Sequence, residues 1–149
     1  MNTLPTPEEV NRLIEQTVPV VARSGVKVDA IRRGYVKMSA PLEGNENHIG
    51  IMYAGTLFTL AEAPGGILFF SCFDAGRFVP IVKEMNIRFL RKVATAAHIE
   101  LSLSDAEIER IRQEAEEKGK ADFILNSEIR DQNGQVVAAC KGTYGVRKL

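Results

Sequence analysis

The long apolar segment in the first half of the chain limits its possible folds more than any other feature. Between Ile49 and Phe73 the only charged side chain is Glu62. A helix that is apolar on all sides has to be covered on all sides. An ionised carboxylate is costly to bury without a partner, so a lone buried acid is either hydrogen-bonded or kept for chemistry. The fold must therefore enclose this segment, and Glu62 is the first candidate for a functional residue.

The same segment is long enough to cross a membrane, because about 20 apolar residues are sufficient for a span. However, Glu62 lies in its middle and is followed by Pro64-Gly65-Gly66, a combination that disfavours a helix in lipid. Neither end carries the cluster of Lys or Arg that would set an orientation. We therefore expect a helix over about residues 53–72 inside a folded domain, and no membrane partner.

The composition argues against several classes of partner and site. The 149 residues include 19 basic and 19 acidic side chains, so the formal net charge is zero and nothing favours nucleic acid as a partner. The two cysteines, Cys72 and Cys140, and the two histidines have no metal-ligand spacing, so we expect no metal site. Free thiols and the lack of a signal sequence predict a cytoplasmic location. The length is that of one domain.

Sequence patterns predict further helices and about six strands around the apolar segment. A helical segment is expected within residues 1–25, because Thr6-Pro7 is typical of a capped helix start and Pro19 stops or bends the helix. Ser104-Asp105-Ala106-Glu107 has capping-box spacing and opens a charged surface helix at residues 104–119. The expected strands are residues 26–33, 35–42, 78–91, 97–103, 122–131 and 135–146.

These elements predict an α+β protein of the hotdog fold. One apolar helix and five to six antiparallel strands, each with one covered face, are most economically arranged as a curled sheet wrapped around the helix. Asn133-Gly134 marks the turn of a closing hairpin. Ile81, Met85, Ile87 and Phe89 are expected on one face of their strand. Two such sheets commonly join edge to edge, which pairs an exposed strand edge, so we expect a homodimer or a dimer of dimers.

The residues around the start of the apolar helix resemble a known family. Asn47-His48-Ile49-Gly50-Ile51-Met52-Tyr53-Ala54-Gly55, followed by Leu60-Ala61-Glu62, is similar to the signature of hotdog acyl-CoA thioesterases of the phenylacetate-pathway type. That signature is an Asn, a Gly three residues later, a His-Gly-Gly turn, and a Leu-Ala-Asp on the helix. The likeness extends over about residues 26–146 and is closest to a thioesterase-like branch known as a domain of unknown function. Tyr53 and Ala54 stand where the family has His and Gly, and Glu62 stands where it usually has Asp.

The resemblance implies an enzyme that hydrolyses an acyl-CoA thioester, with no cofactor beyond the coenzyme A of the substrate. Glu62 would act as general base or nucleophile. The backbone N–H of Gly55 would polarise the carbonyl at the helix N-terminus, and Asn47 would orient the water or the carbonyl. Apolar burial should raise the pKa of Glu62 towards the useful range. The side chains expected to contact the substrate are Tyr53, His48, Ala54, Phe58 and Thr59.

Two other functions remain open from the sequence. His48 precedes Glu62 by fourteen residues, a separation similar to that in hotdog hydroxyacyl dehydratases, where the two side chains remove a proton and expel water. The protein could also bind an acyl-CoA or fatty acyl group without any reaction, because a fold alone does not fix a function.

Each candidate catalytic residue also has a structural interpretation. Glu62 could be a buried acid tied to backbone N–H groups, Gly55 could permit close packing, and Asn47 could hold a turn. If the oxygens of Glu62 were all hydrogen-bonded and closed off from any opening, the enzymatic interpretation would fail.

Overall fold

The computed structural model describes residues 3–149, so Met1 and Asn2 of the predicted N-terminal helical segment lie outside the described residues. Within that range the chain forms four helices and six strands. In chain order these are α1 (Pro7–Thr17), α2 (Pro19–Arg23), β1 (Lys27–Arg32), β2 (Tyr35–Ala40), α3 (Ala54–Cys72), β3 (Phe78–Phe89), β4 (Ala97–Ser102), α4 (Asp105–Lys118), β5 (Lys120–Asp131) and β6 (Val136–Lys148).

Proline and capping residues set the ends of the N-terminal helices. The Thr6 hydroxyl accepts a hydrogen bond from the backbone N–H of Glu9, and the Glu9 carboxylate accepts one from the backbone N–H of Thr6. This reciprocal pair is a capping box. Val18 separates α1 from α2, and Pro19 is the first residue of α2. The predicted helix start after Thr6 and the break at Pro19 are therefore both confirmed.

The six strands form one antiparallel sheet in the order β1-β2-β4-β5-β6-β3. Helix α3 contacts all six strands, and the sheet curls around it. A curled antiparallel sheet around a central apolar helix is the hotdog fold, so the predicted architecture is confirmed. The charged helix α4 packs outside this arrangement, mainly against β5.

Helix α3 is covered on its sheet side only. Leu60 and Leu68 on that side are almost fully buried, whereas Phe58 and Phe70 on the opposite side are 42% and 49% exposed. Glu62 lies half-buried on the exposed side. By length and composition α3 could cross a membrane, but 56% of its most apolar window is buried inside the fold, as in a core helix. A single chain therefore leaves part of the apolar helix uncovered.

Strand β3 contains an irregularity that the sequence pattern did not show. Its register against β6 shifts between Val82 and Glu84. An extra residue in one strand turns the residues on its two sides to opposite faces of the sheet. Ile81 therefore faces the opposite side of the sheet from Met85, Ile87 and Phe89. The prediction that these four residues share a face is wrong for Ile81, because alternation alone does not reveal a bulge.

Helix α1 covers the edge of the sheet at β1. The Asn11 side-chain amide donates a hydrogen bond to the Val28 carbonyl at 3.0 Å, and the Val28 backbone N–H donates one to Asn11 Oδ1 at 2.8 Å. These bonds pair the backbone N–H and carbonyl of Val28, which would otherwise lack a partner at the edge of the sheet. They also hold α1 at a fixed position beside the uncovered side of α3.

Candidate active site

Glu62 borders an apolar cavity of about 480 Å³ between α3 and the N-terminal helices. Of the described residues that line this cavity, Glu62 alone carries a charge. The remaining walls are uncharged residues of the segment 5–21, Ile31 of β1, and Ala63, Gly66, Ile67 and Phe70 of α3. The lone acid of the apolar segment therefore faces an accessible space.

The Glu62 carboxylate has no hydrogen-bond donor among residues 3–149. Burial raises the pKa of Glu62 above the ordinary value for a glutamate, because desolvation penalises the charged form. The carboxylate is thus neither tied to backbone N–H groups nor closed off from an opening. The condition that would have excluded an enzymatic role is not met.

Tyr144 is a neighbour of Glu62 that no pattern in the sequence indicates as a site residue. Its ring stacks on Phe123 with 5.8 Å between the ring centroids. It also lies against Gly65 and Gly142, where added Cβ atoms would be 2.2 and 2.4 Å from ring carbons of Tyr144. Burial raises the pKa of Tyr144 well above its usual range, and the charge of Glu62 raises it further. The phenol is therefore neutral near pH 7 and keeps a hydrogen to donate.

The start of α3 holds the predicted carbonyl-binding residue Gly55. The helix begins at Ala54, and Tyr53 precedes it without a capping side-chain hydrogen bond. The Tyr53 ring lies over Gly55, where an added Cβ would be 2.4 Å from a ring carbon. Thr59 donates its hydroxyl hydrogen to the Gly55 carbonyl at 3.0 Å. Because the first N–H groups of a helix have no partner within it, the N–H of Gly55 is available to a ligand beside the tyrosine ring.

The loop before α3 places Asn47 and His48 outside the cavity described above. Asn47 Oδ1 accepts hydrogen bonds from the backbone N–H groups of Ile49 and Ile51 at 2.9 and 3.3 Å, so this side chain holds the turn of the loop. Asn47 also lines a second cavity of about 360 Å³, together with the start of α3 and residues 89–93. His48 is exposed and lines neither of these two cavities.

The predicted site residues thus form two groups along α3 instead of one. Glu62 lies near its middle with Phe58 one turn before it, whereas Ala54 and Gly55 form its start and Asn47 lies in the loop that precedes it. Gly55 and Glu62 are seven residues apart, which is about 10 Å along the helix axis. A single chain does not place Asn47 and Glu62 in the same cavity.

The part of the chain from residue 3 onwards contains no cluster of three or more His, Cys, Asp or Glu side chains that could hold a metal ion. Cys72 and Cys140 are free thiols, and burial raises the pKa of both. Both are therefore protonated near pH 7 and act as small apolar side chains.

Comparison with known proteins agrees with this fold. Residues 6–146 match the family DUF4442, described as a domain of unknown function. No curated protein matches the chain. Among solved structures, a Pseudomonas aeruginosa protein of unknown function that is described as a probable thioesterase has 44% sequence identity and a TM-score of 0.91, with 99% of this chain and 100% of that chain covered.

More distant structures have the same fold. A thioesterase of Haemophilus influenzae is 17% identical with a TM-score of 0.77, and the alignment covers 99% of this chain and 94% of that one. A variant of a second Pseudomonas aeruginosa protein, a thioesterase, is 16% identical with a TM-score of 0.78, covering 99% and 98%. At such identities the likeness concerns the fold alone. On the match over residues 6–146, the chain belongs to the DUF4442 family, within the thioesterase-like hotdog superfamily.

Proposed function

We propose that this protein hydrolyses an acyl-CoA thioester to a free acid and coenzyme A. The observation that carries the proposal is the environment of Glu62, a half-buried acid beside an apolar cavity, with a raised pKa and no hydrogen-bond donor within residues 3–149. Acids perturbed in this way within a cavity are typical of functional sites. The Pseudomonas relative with 44% identity, described as a probable thioesterase, supports the same reaction class.

In the proposed reaction, Glu62 takes a proton from water while the water oxygen attacks the thioester carbonyl carbon. The carbon–sulfur bond then breaks, and the proton passes from Glu62 to the departing thiolate. In a covalent variant, Glu62 attacks the carbonyl carbon itself, and the carbon–sulfur bond breaks to release the thiolate. Water then hydrolyses the resulting anhydride to the free acid, which regenerates Glu62 and supplies the proton that the thiolate takes up. Both routes need an ionised Glu62, and neither needs a cofactor beyond the coenzyme A of the substrate.

The carbonyl oxygen needs a donor that stabilises its developing negative charge. We propose the backbone N–H of Gly55 for this role, with Tyr53, Ala54 and Thr59 beside it. Because about 10 Å of helix separates Gly55 from Glu62 in one chain, we infer that a second copy brings its Gly55 towards Glu62. The complete site is then formed between two copies.

The second copy has a place to join at β3. This strand lies at an edge of the sheet, so one row of its backbone groups is unpaired. Val79, Ile81, Val82 and Phe89 on β3 are between 37% and 51% exposed. An edge strand with exposed apolar side chains is a template for pairing with another strand. We propose a homodimer joined through β3, with a dimer of dimers as its larger form.

Val82→Lys is expected to weaken this self-association, because it places a charge in an apolar contact between two sheet edges. Light scattering after gel filtration should give the mass of two or four chains for the parent and a smaller mass for the variant at the same concentration. Ile124→Lys is the matched control, since Ile124 is 52% exposed on the central strand β5. It should leave the mass unchanged. A parent that elutes as one chain would contradict the proposed dimer.

The pH dependence of hydrolysis is expected to report the ionisation of Glu62. Since burial raises the pKa of Glu62, kcat/KM should increase with pH through a midpoint above the ordinary glutamate range and then level off. Thiol release from a series of acyl-CoA substrates between about pH 4 and about pH 8 measures this profile. Thiol release that is absent with every acyl-CoA at every pH would refute hydrolysis.

The same preparation separates the two competing functions. Reversible hydration of an enoyl-CoA without thiol release, lost in His48→Ala, would identify a dehydratase instead. Saturable acyl-CoA binding with neither reaction would identify a binding protein. The exposed position of His48, outside the cavity of Glu62, gives the dehydratase no support from a single chain.

A further inference from the structure

We infer that the space between α1 and α3 holds the acyl chain of the substrate, with the thioester group beside Glu62. This inference rests on the proposed hydrolysis and specifies the substrate class as a neutral thioester of an apolar, chain-like acid. It also gives a function to α1, which the proposed reaction leaves unused.

The cavity has the size and the lining that such a chain requires. Its volume of about 480 Å³ lies within the range of roughly 300–1,000 Å³ that is typical of small-ligand sites. Helix α1 contributes Leu13 and Ile14, and α3 contributes Ile67 and Phe70. Leu13 and Phe70 line it and are 52% and 49% exposed, so an apolar ligand bound there would cover apolar surface of both.

Two structural features keep this space from being filled by the protein itself. The paired hydrogen bonds between Asn11 and Val28 hold α1 against β1, so α1 does not close onto α3. Gly66 lines the cavity from the α3 side, and an added Cβ at this position would meet nothing within 4 Å. The glycine therefore adds free volume and does not serve a close packing contact.

The charge of the cavity selects the type of ligand. Because Glu62 is the charged residue of the described lining, an ionised fatty acid would bring a second carboxylate beside it, which is unfavourable. A thioester is neutral at the same position. Hydrolysis converts this neutral group into a carboxylate, so the product is repelled from the position at which the substrate binds.

Gly66→Leu tests the cavity without altering Glu62. The new side chain would occupy the open space, and leucine is a better helix former than glycine, so the fold should persist. We expect the ratio of kcat/KM for decanoyl-CoA to kcat/KM for acetyl-CoA to fall at least about tenfold, since burying each methylene group is worth roughly fourfold in affinity. Gln16→Leu adds the same side chain to an exposed position of α1 outside the cavity, and should leave the ratio unchanged.

A binding measurement distinguishes a wrong cavity from a wrong reaction. Alkyl thioethers of coenzyme A cannot be hydrolysed, so calorimetry gives their affinities whatever the activity. S-decyl-CoA should bind the parent more tightly than S-ethyl-CoA, and Gly66→Leu should lose most of this difference. If the parent releases thiol while Gly66→Leu keeps both the activity ratio and the affinity difference, the acyl-chain assignment is wrong and hydrolysis stands. If the parent releases no thiol, the proposed hydrolysis is wrong. The affinities for the thioethers then test by themselves whether the cavity binds the acyl chain.

Discussion

Glu62→Gln is expected to lower kcat/KM for acyl-CoA hydrolysis by about 10²- to 10⁴-fold, the usual contribution of a positioned general base. The amide has nearly the same size as the carboxylate but can neither accept the proton of water nor attack the carbonyl. Glu62→Asp keeps a carboxylate, as in the family that the sequence resembles, and should retain more activity than the amide. Glu117→Gln on the exposed side of α4 makes the same chemical change far from the cavity and is the control.

The stability of Glu62→Gln separates a catalytic role from a structural one. Since the pKa of Glu62 is raised in the folded protein, the folded state binds this proton more tightly than the unfolded state. At low pH both states are protonated and Glu62 carries no desolvation penalty. As the pH rises from the unfolded-state pKa through the folded-state pKa, the parent loses stability that the amide keeps. Thermal unfolding at neutral pH should therefore find the variant at least as stable as the parent, and a loss of both activity and stability would identify a structural residue.

Gly65→Ala is expected to destabilise the protein by roughly 2–3 kcal/mol, in the range for overpacked cores. The added Cβ would lie 2.2 Å from Cε1 of Tyr144. The ring has no room to retreat, because it also lies over Gly142 and stacks on Phe123. Unfolding in urea measures the change. The displaced ring also lies beside Glu62, so we expect hydrolysis to slow in the folded fraction.

The neighbouring glycine gives the matched control for this prediction. Gly66→Ala makes the same substitution one residue later in the same helix, but its Cβ would meet nothing within 4 Å. We expect it to stabilise the protein by about 0.5–1 kcal/mol through helix propensity. In a Tyr144→Leu background the cost of Gly65→Ala should shrink, since the clash is with the ring. An equal change in the free energy of unfolding for alanine at both positions would show that the Tyr144 ring does not require a glycine at position 65.

Most of the fold could be predicted because its signals are local. Thr6-Pro7, Ser104 and Asn133-Gly134 mark helix starts and a turn through backbone chemistry that depends on neighbours in the sequence. The single apolar helix then required a sheet that wraps around it. The bulge before Met85 could not be predicted, because the extra residue is defined by its partner strand β6 and leaves no local pattern.

The candidate site was predictable only in part. Glu62 stood out because one charge in a long apolar segment is visible in the sequence itself. Tyr144 did not, because its position against Gly65 follows from the register of the last strand and not from the spacing of residues. The cavity depends on the position of α1, which is fixed by the hydrogen bonds between Asn11 and Val28. These two residues are 17 positions apart, so no local pattern shows their contact.

The docking of α1 on β1 also determines how far copies of this protein can add to one another. A curled sheet with two open edges could recruit a neighbour at each side and grow into a filament. Here Asn11 already satisfies the backbone groups of Val28, and α1 blocks that side. In the homodimer proposed above, growth by strand pairing would end after one two-fold contact through β3, so copies joined at their sheet edges would not form an open chain.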